Sequence, residues 1–186
     1  MPIWRIESGW FLLLAVCLLV IPLEWLAAMA LAAGIHELFH VLAAKALGSK
    51  ILGISMDWSG IRMDLSPLLL REELLVALAG PVGSFLLLII AKWYPQLAVC
   101  GLVQGMFNFL PVWPLDGGRV LRGLFPGQER LYRIIEWITV LTLLAMGFWL
   151  WKCVDLGIGP LCLAAIAAGK VFVRKIPCIA DELGVQ

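Results

Sequence analysis

The sequence predicts an all-α polytopic membrane protein of about six transmembrane helices, with a membrane-dipping β-hairpin between the second and the third. Three observations predict it. The 186 residues are 62% hydrophobic and 15% charged, with a mean hydropathy of +0.98, whereas a soluble domain is about 45–50% apolar and about 25% charged. The excess apolar surface has to face lipid. The apolar residues also gather in stretches near the length that a bilayer demands, about 20 residues for a hydrocarbon core about 30 Å thick. One segment between these stretches changes to a period of two. The net charge of +1 gives no basic field of the kind that nucleic acids require.

With Pro, Gly and charge as punctuation, spans fall near residues 8–22, 24–47, 72–92, 96–114, 133–151 and 155–173. Only a short turn at Pro22 separates the first two, so they form an antiparallel pair. With the N-terminus inside, 12 of the 14 Lys and Arg residues lie on the cytoplasmic side, and Lys92 and Lys152 lie outside. That asymmetry sets the orientation, with both termini cytoplasmic. Residues 1–175 read as one membrane domain and 176–186 as a short cytoplasmic tail, with no separate regulatory domain. The five cysteines show no two-residue spacing and read as small buried hydrophobes.

The hairpin occupies about 51–66. Ile54, Met56, Trp58, Ile61, Met63 and Leu65 fall on one face, and Ser55, Asp57, Arg62 and Asp64 fall on the other. A turn at Ser59 and Gly60 would set Asp57 opposite Arg62 and Met56 opposite Met63. An apolar face between two spans suggests that the hairpin dips into the membrane from the cytoplasmic side. It should then sit against protein or water, because lipid does not tolerate an open strand edge.

The second span carries His36, Glu37, Leu38, Phe39 and His40, and these are the chain's two histidines. Two histidines placed at random would fall four apart in roughly 1% of cases. On a helix the spacing puts both imidazoles on one face, about 6 Å apart along the axis. Neutral imidazoles bind zinc, which lowers the pKa of a bound water to about 7. Glu37 is placed to act as general base toward that water, and a glutamate inside a membrane helix is costly and usually functional. A catalytic zinc needs one more protein ligand. Asp116 stands out, because it follows a stretch broken by Pro111 and Pro114 and precedes Gly117 and Gly118. Unwound backbone at membrane depth is tolerated where it is buried in protein or lines a cavity. Glu136, the competing acid, sits one turn from Arg133 and reads as a helix-surface ion pair or snorkelling group. Two other classes fit two imidazoles and a carboxylate: a membrane metal transporter or metal-binding protein without hydrolysis, and a non-haem iron centre. The adjacent Glu37 and the absence of an internal repeat favour a hydrolytic zinc site.

The motif from His36 to His40, taken with Asn108 to Pro111 and with Pro114 to Arg119, resembles the site-2 protease family of intramembrane zinc metalloproteases. The six-span layout, with a hairpin after the metal-binding helix, is most similar to the family's bacterial sporulation branch, the stage IV sporulation factor FB type. That branch cleaves a membrane-associated sigma-factor precursor. The resemblance implies one zinc per chain held by His36, His40 and Asp116, with Glu37 as catalytic base and zinc-bound water as nucleophile. It implies that Asn108 binds the substrate or its oxyanion, and that the hairpin edge pairs with an extended substrate. Ala79, Gly80, Pro81 and Ser84 resemble the family's Gly-Pro element, which often has an asparagine where this chain has Ser84. The small residues there also read as close helix packing. Expected partners are a membrane-associated or single-span protein substrate, the lipid bilayer and an inhibitory membrane protein, with no nucleic acid; self-association is left open. Sporulation-branch members often carry a nucleotide-sensing domain. The 11 residues after Lys175 are too few to form one, so ATP sensing is not expected.

Overall fold

The computed structural model describes residues 3–6, 8–57, 60–153 and the single positions 165, 168 and 169. The chain divides into two compact units, Met1–Asn108 and Phe109–Gln186.

The first unit opens with β1 (Ile3–Ile6), α1 (Ser8–Val20) and α2 (Leu23–Ala46). Leu23 to Ala46 can run unbroken because Pro22 stands just before the first turn, where the missing N–H costs nothing. The helix stops where Gly48 takes φ +78, a left-handed conformation that only glycine adopts cheaply. Gly48 N–H then donates to Lys45 O at 3.0 Å and Ser49 N–H to Ala44 O at 2.9 Å, which satisfies the carbonyls that a helix end leaves bare.

Next comes the hairpin, β2 (Ile51–Asp57) and β3 (Gly60–Leu65). Its register differs from the expectation. Asp57 pairs with Gly60, Met56 with Ile61, Ser55 with Arg62 and Ile54 with Met63, so neither Asp57 with Arg62 nor Met56 with Met63 is a pair. Residues 58 and 59, where the expected turn begins, lie outside the described residues. A shift of two moves partners but keeps the paired strand residues on their expected faces, because side chains alternate with a period of two. An irregularity between Ile51 and Gly53 lets Ile51 pair with Leu65, which adds Ile51 to the apolar face. Ser66 closes the base: its N–H donates to Lys50 O at 2.8 Å, and its Oγ accepts from Lys50 N–H at 3.0 Å.

The protein is mostly helical, but the hairpin belongs to a three-stranded sheet of order β1-β2-β3. β1 pairs in parallel with β2, Ile3 opposite Gly53 through Ile6 opposite Met56. A four-residue strand before an apolar helix carries too few positions for its alternation to be read.

The unit ends with α3 (Leu70–Leu86), a 3-10 turn (Leu87–Ile90) and α4 (Pro95–Asn108). The Glu72 carboxylate accepts from Leu69 N–H at 2.9 Å, covering one of the orphan donors that begin α3. α2 packs on both α3 and α4, and Ala32, Leu87, Leu97 and Cys100 form the buried cluster where they meet.

In the second unit an irregular stretch leads from Phe109 to Leu115 into α5 (Asp116–Leu124) and then α6 (Glu129–Cys153). α4 therefore ends at Asn108 and does not reach 114, because Pro111 and Pro114 can neither donate nor continue a helix. α5 is an additional element, hidden in the sequence by its two consecutive glycines.

Among the described residues three helical segments are long and apolar enough to cross a membrane: Leu23–Ala46, Leu70–Ile90 and Glu129–Cys153. In the first and third only 17% of the most apolar window is buried inside the protein, so most of that apolar surface is available to lipid. α1 and α4 have 13 and 14 residues, about 20 Å each at 1.5 Å per residue, shorter than the spans expected there. The expected sixth span, 155–173, lies outside the described residues apart from 165, 168 and 169. Cys17, Cys100 and Cys153 are free thiols; Cys100 is buried as expected, but Cys17 is half-buried and Cys153, at the end of α6, is exposed, which corrects the reading of a buried hydrophobe there.

Candidate metal centre

Along α2 the buried residues are Ala32, His36, His40 and Ala44, a single stripe at i, i+4. Small residues at both ends let neighbouring backbone approach, and the two imidazoles occupy the middle. His36 is 2% exposed, which is tolerable for a polar ring only when its nitrogens have partners.

α3 supplies those partners. His40 Nδ1–H donates to the Val76 carbonyl at 2.7 Å. That bond selects the tautomer whose Nε2 carries a lone pair, the form that ligates metal. His36 Nδ1 lies 2.8 Å from Ser84 Oγ, and Ser84 is wholly buried. Position 84 thus has a definite place: it orients His36.

The two Nε2 atoms point at each other across 3.2 Å, with the rings near perpendicular at 83°. Two nitrogens each about 2.0–2.1 Å from one tetrahedral ion lie about 3.3–3.4 Å apart. The pair is therefore spaced as two ligands of one zinc. Gly80 forms the wall beside them, because a Cβ added there would sit 2.5 Å from His40 Cε1 and 2.8 Å from His36 Nε2. Its smallness thus serves the two imidazoles, and the plain reading of close helix packing applies better to Gly83. A Cβ on Gly83 would meet the Phe39 ring.

Glu37 follows His36 on α2 and is half-buried, and Asn108 is the half-buried last residue of α4.

In the second unit Asp116 is the first residue of α5 and is 8% exposed, where a carboxylate is favoured by the positive end of the helix dipole. The two glycines after it are a steric requirement. A Cβ on Gly117 would strike the Phe109 and Leu110 carbonyls, and one on Gly118 would lie 2.6 Å from Trp113 N and Val112 O. The proline-broken stretch thus lies directly on the first turn of α5.

Glu136 corrects an expectation. It is 4% exposed, and its Oε1 accepts from Trp113 N–H at 3.2 Å. This donor is a backbone amide 23 residues away, which spacing to Arg133 could not reveal, and the burial rules out the expected helix-surface position. Trp113 is held through its ring as well: the Arg122 guanidinium lies 4.5 Å from the ring centroid and 5.5 Å from that of Tyr132, within cation–π range.

No family model matches the chain. A zinc metalloprotease of Methanocaldococcus jannaschii is 35% identical over 104 residues, 48% of this chain and 31% of that protein. The chain thus spans about a third of the length of that curated relative. Among solved structures, a site-2 protease from Methanocaldococcus jannaschii superposes with a TM-score of 0.59 at 22% identity, covering 90% of this chain and 88% of that one. The two share a fold.

Proposed function

We propose that this chain is an intramembrane zinc metalloprotease that hydrolyses a peptide bond in or near the membrane segment of a membrane-associated protein. The observation that carries the reading is the 3.2 Å approach of His36 Nε2 to His40 Nε2 while each Nδ1 is engaged by α3. Two buried imidazoles oriented in this way suit one tetrahedral cation. Asp116 is proposed as the third ligand, supported by its carboxylate being held at the start of α5 by the proline-broken turn and by the resemblance that pairs such an acid with the two histidines. The similarity to a zinc metalloprotease supports zinc over iron.

Zinc in such a site acts as a Lewis acid that makes water nucleophilic near neutral pH and polarises the scissile carbonyl. Glu37 takes the proton from the attacking water and delivers it to the leaving amide nitrogen, so that one carboxylate serves as base and then acid. Asn108 provides an amide N–H to the oxygen on which charge develops. The substrate helix must unwind before its peptide bond is accessible, and its freed backbone groups need partners in the membrane. The sheet can supply them by strand addition. Because β1 lies along β2, the edge proposed for the substrate is β3.

The test is co-expression with a single-span reporter substrate. Wild type should cleave it and purify with one zinc per chain, and Glu37→Gln should keep the zinc and lose cleavage. Cleavage that persists in Glu37→Gln would overturn the reading, as would zinc flux into vesicles without any cleavage. A sporulation sigma-factor precursor is the finer proposal for the substrate, drawn from the likeness to that branch. Including one among the reporters tests it.

A further inference from the structure

We propose that Glu136 is a positioning residue for Asp116, acting through the hydrogen bond that its Oε1 accepts from Trp113 N–H. This rests on Asp116 being the third metal ligand.

Glu136 lies on a buried stripe of α6 with Tyr132 and Val140. A carboxyl group in such a helix is expensive unless it is paired or hydrogen-bonded, so its position calls for a task that an apolar side chain could not perform. The task is set by the stretch ahead of Asp116. Between Pro111 and Asp116 the non-proline residues are Val112, Trp113 and Leu115. Val112 N–H donates to Leu110 O at 2.7 Å and Leu115 N–H to Val112 O at 2.9 Å, both inside the turn. The Trp113 N–H instead reaches Glu136 at 3.2 Å. Glu136 is thus the acceptor that α6 extends to the turn, in a setting where a buried N–H without a partner is costly.

The turn transmits this hold to Asp116 by contact. Gly118 is so close that a Cβ would come within 2.6 Å of Trp113 N, and Gly118 stands half a turn from Asp116 on the same helix. Displacing Trp113 therefore displaces the first turn of α5 and the carboxylate with it. The Trp113 ring is held independently by Arg122. Tyr132, one turn before Glu136, donates its hydroxyl to Arg122 O at 3.4 Å. Residues from α5 and α6 thus hold Trp113 by backbone and by ring.

The experiment measures zinc affinity of the detergent-solubilised full chain by chelator competition. Residues outside the ligand shell that orient a ligand typically change metal affinity 10–100-fold. Glu136→Ala should weaken zinc binding ten-fold or more, and Glu136→Gln, which keeps a carbonyl oxygen for the Trp113 N–H, should stay within about threefold of wild type. Because the effect passes through Asp116, Glu136→Ala should add nothing in an Asp116→Ala background, whereas general destabilisation would add there. If the alanine variant does not fold, Glu136→Met keeps the volume, removes the acceptor and is read in the same way. Weaker binding in Asp116→Ala with unchanged binding in Glu136→Ala overturns the positioning role alone. Unchanged binding in Asp116→Ala overturns the ligand assignment beneath it. A loss in Glu136→Gln equal to that in alanine overturns the hydrogen bond as the route.

Discussion

Gly80→Ala sets two effects of opposite sign against each other. In a helix interior alanine is favoured over glycine by about 0.8–1.0 kcal/mol, so on propensity alone the substitution in α3 should stabilise the protein. The new Cβ would stand 2.5 Å from His40 Cε1 and 2.8 Å from His36 Nε2, and ordinary contact begins near 3.4 Å. The rings would have to retreat by about 0.9 and 0.6 Å, while zinc sites hold their ligand distances to about ±0.2 Å. Retreat is opposed because His40 is tied to Val76 O at 2.7 Å and His36 to Ser84 Oγ at 2.8 Å. Overpacking of this kind costs about 1–3 kcal/mol, enough to cancel or exceed the gain in propensity. We expect Gly80→Ala to lower zinc affinity ten-fold or more, about 1.4 kcal/mol, measured by chelator competition in detergent. Gly34→Ala is the control, two residues from His36 on α2 with nothing within 4 Å of its added Cβ. It should keep full zinc affinity. Wild-type zinc affinity in Gly80→Ala would refute the geometry derived for the two imidazoles.

Ser84→Ala removes the group that holds His36 Nδ1 and should weaken zinc binding 10–100-fold, read by the same competition. Gly48→Ala forces a side chain into φ +78 and should destabilise the fold by about 1–2 kcal/mol, seen as a lower thermal midpoint with zinc affinity unchanged. Zinc at 100 times its dissociation constant should stabilise the chain by about 2.7 kcal/mol; a chelator should reverse the shift, and His36→Ala should show none.

What the sequence revealed, and what it hid, follows the range of the interactions. The pairing of His36 and His40 is a property of one helix: four residues are one turn, and a turn puts both rings on one face wherever that helix sits. The same holds for the hairpin faces, which survive a two-residue error in register because alternation is local. The strand pairing itself was misjudged because it depends on where the chain reverses, and the stretch from Asp57 to Gly60 allows more than one reversal. β1 escaped notice because its pairing with β2 crosses about 50 residues of chain.

The two acids of the second unit mark the same boundary. Asp116 was conspicuous because prolines precede it and glycines follow it, and the structure gives those neighbours their reason: the turn lies on Gly117 and Gly118, where any side chain would collide with backbone. Glu136 reads as a surface group because its nearest charge in sequence, Arg133, offers a sufficient local explanation, whereas the structure buries it. It accepts from the amide of Trp113, 23 residues earlier, and a backbone donor leaves no trace in composition or spacing. The signal that could have found it is energetic. A carboxylate on the face that also carries Tyr132 and Val140 cannot be a solvated surface charge, and within an apolar helix the cost of burying it has to be offset by a partner. The prolines that break the fourth apolar stretch create the complementary need, because a turn with two residues lacking N–H groups cannot satisfy the remaining donors by helix formation. An acid on a buried face and a proline-broken turn in the same chain are thus two halves of one hydrogen-bonding requirement.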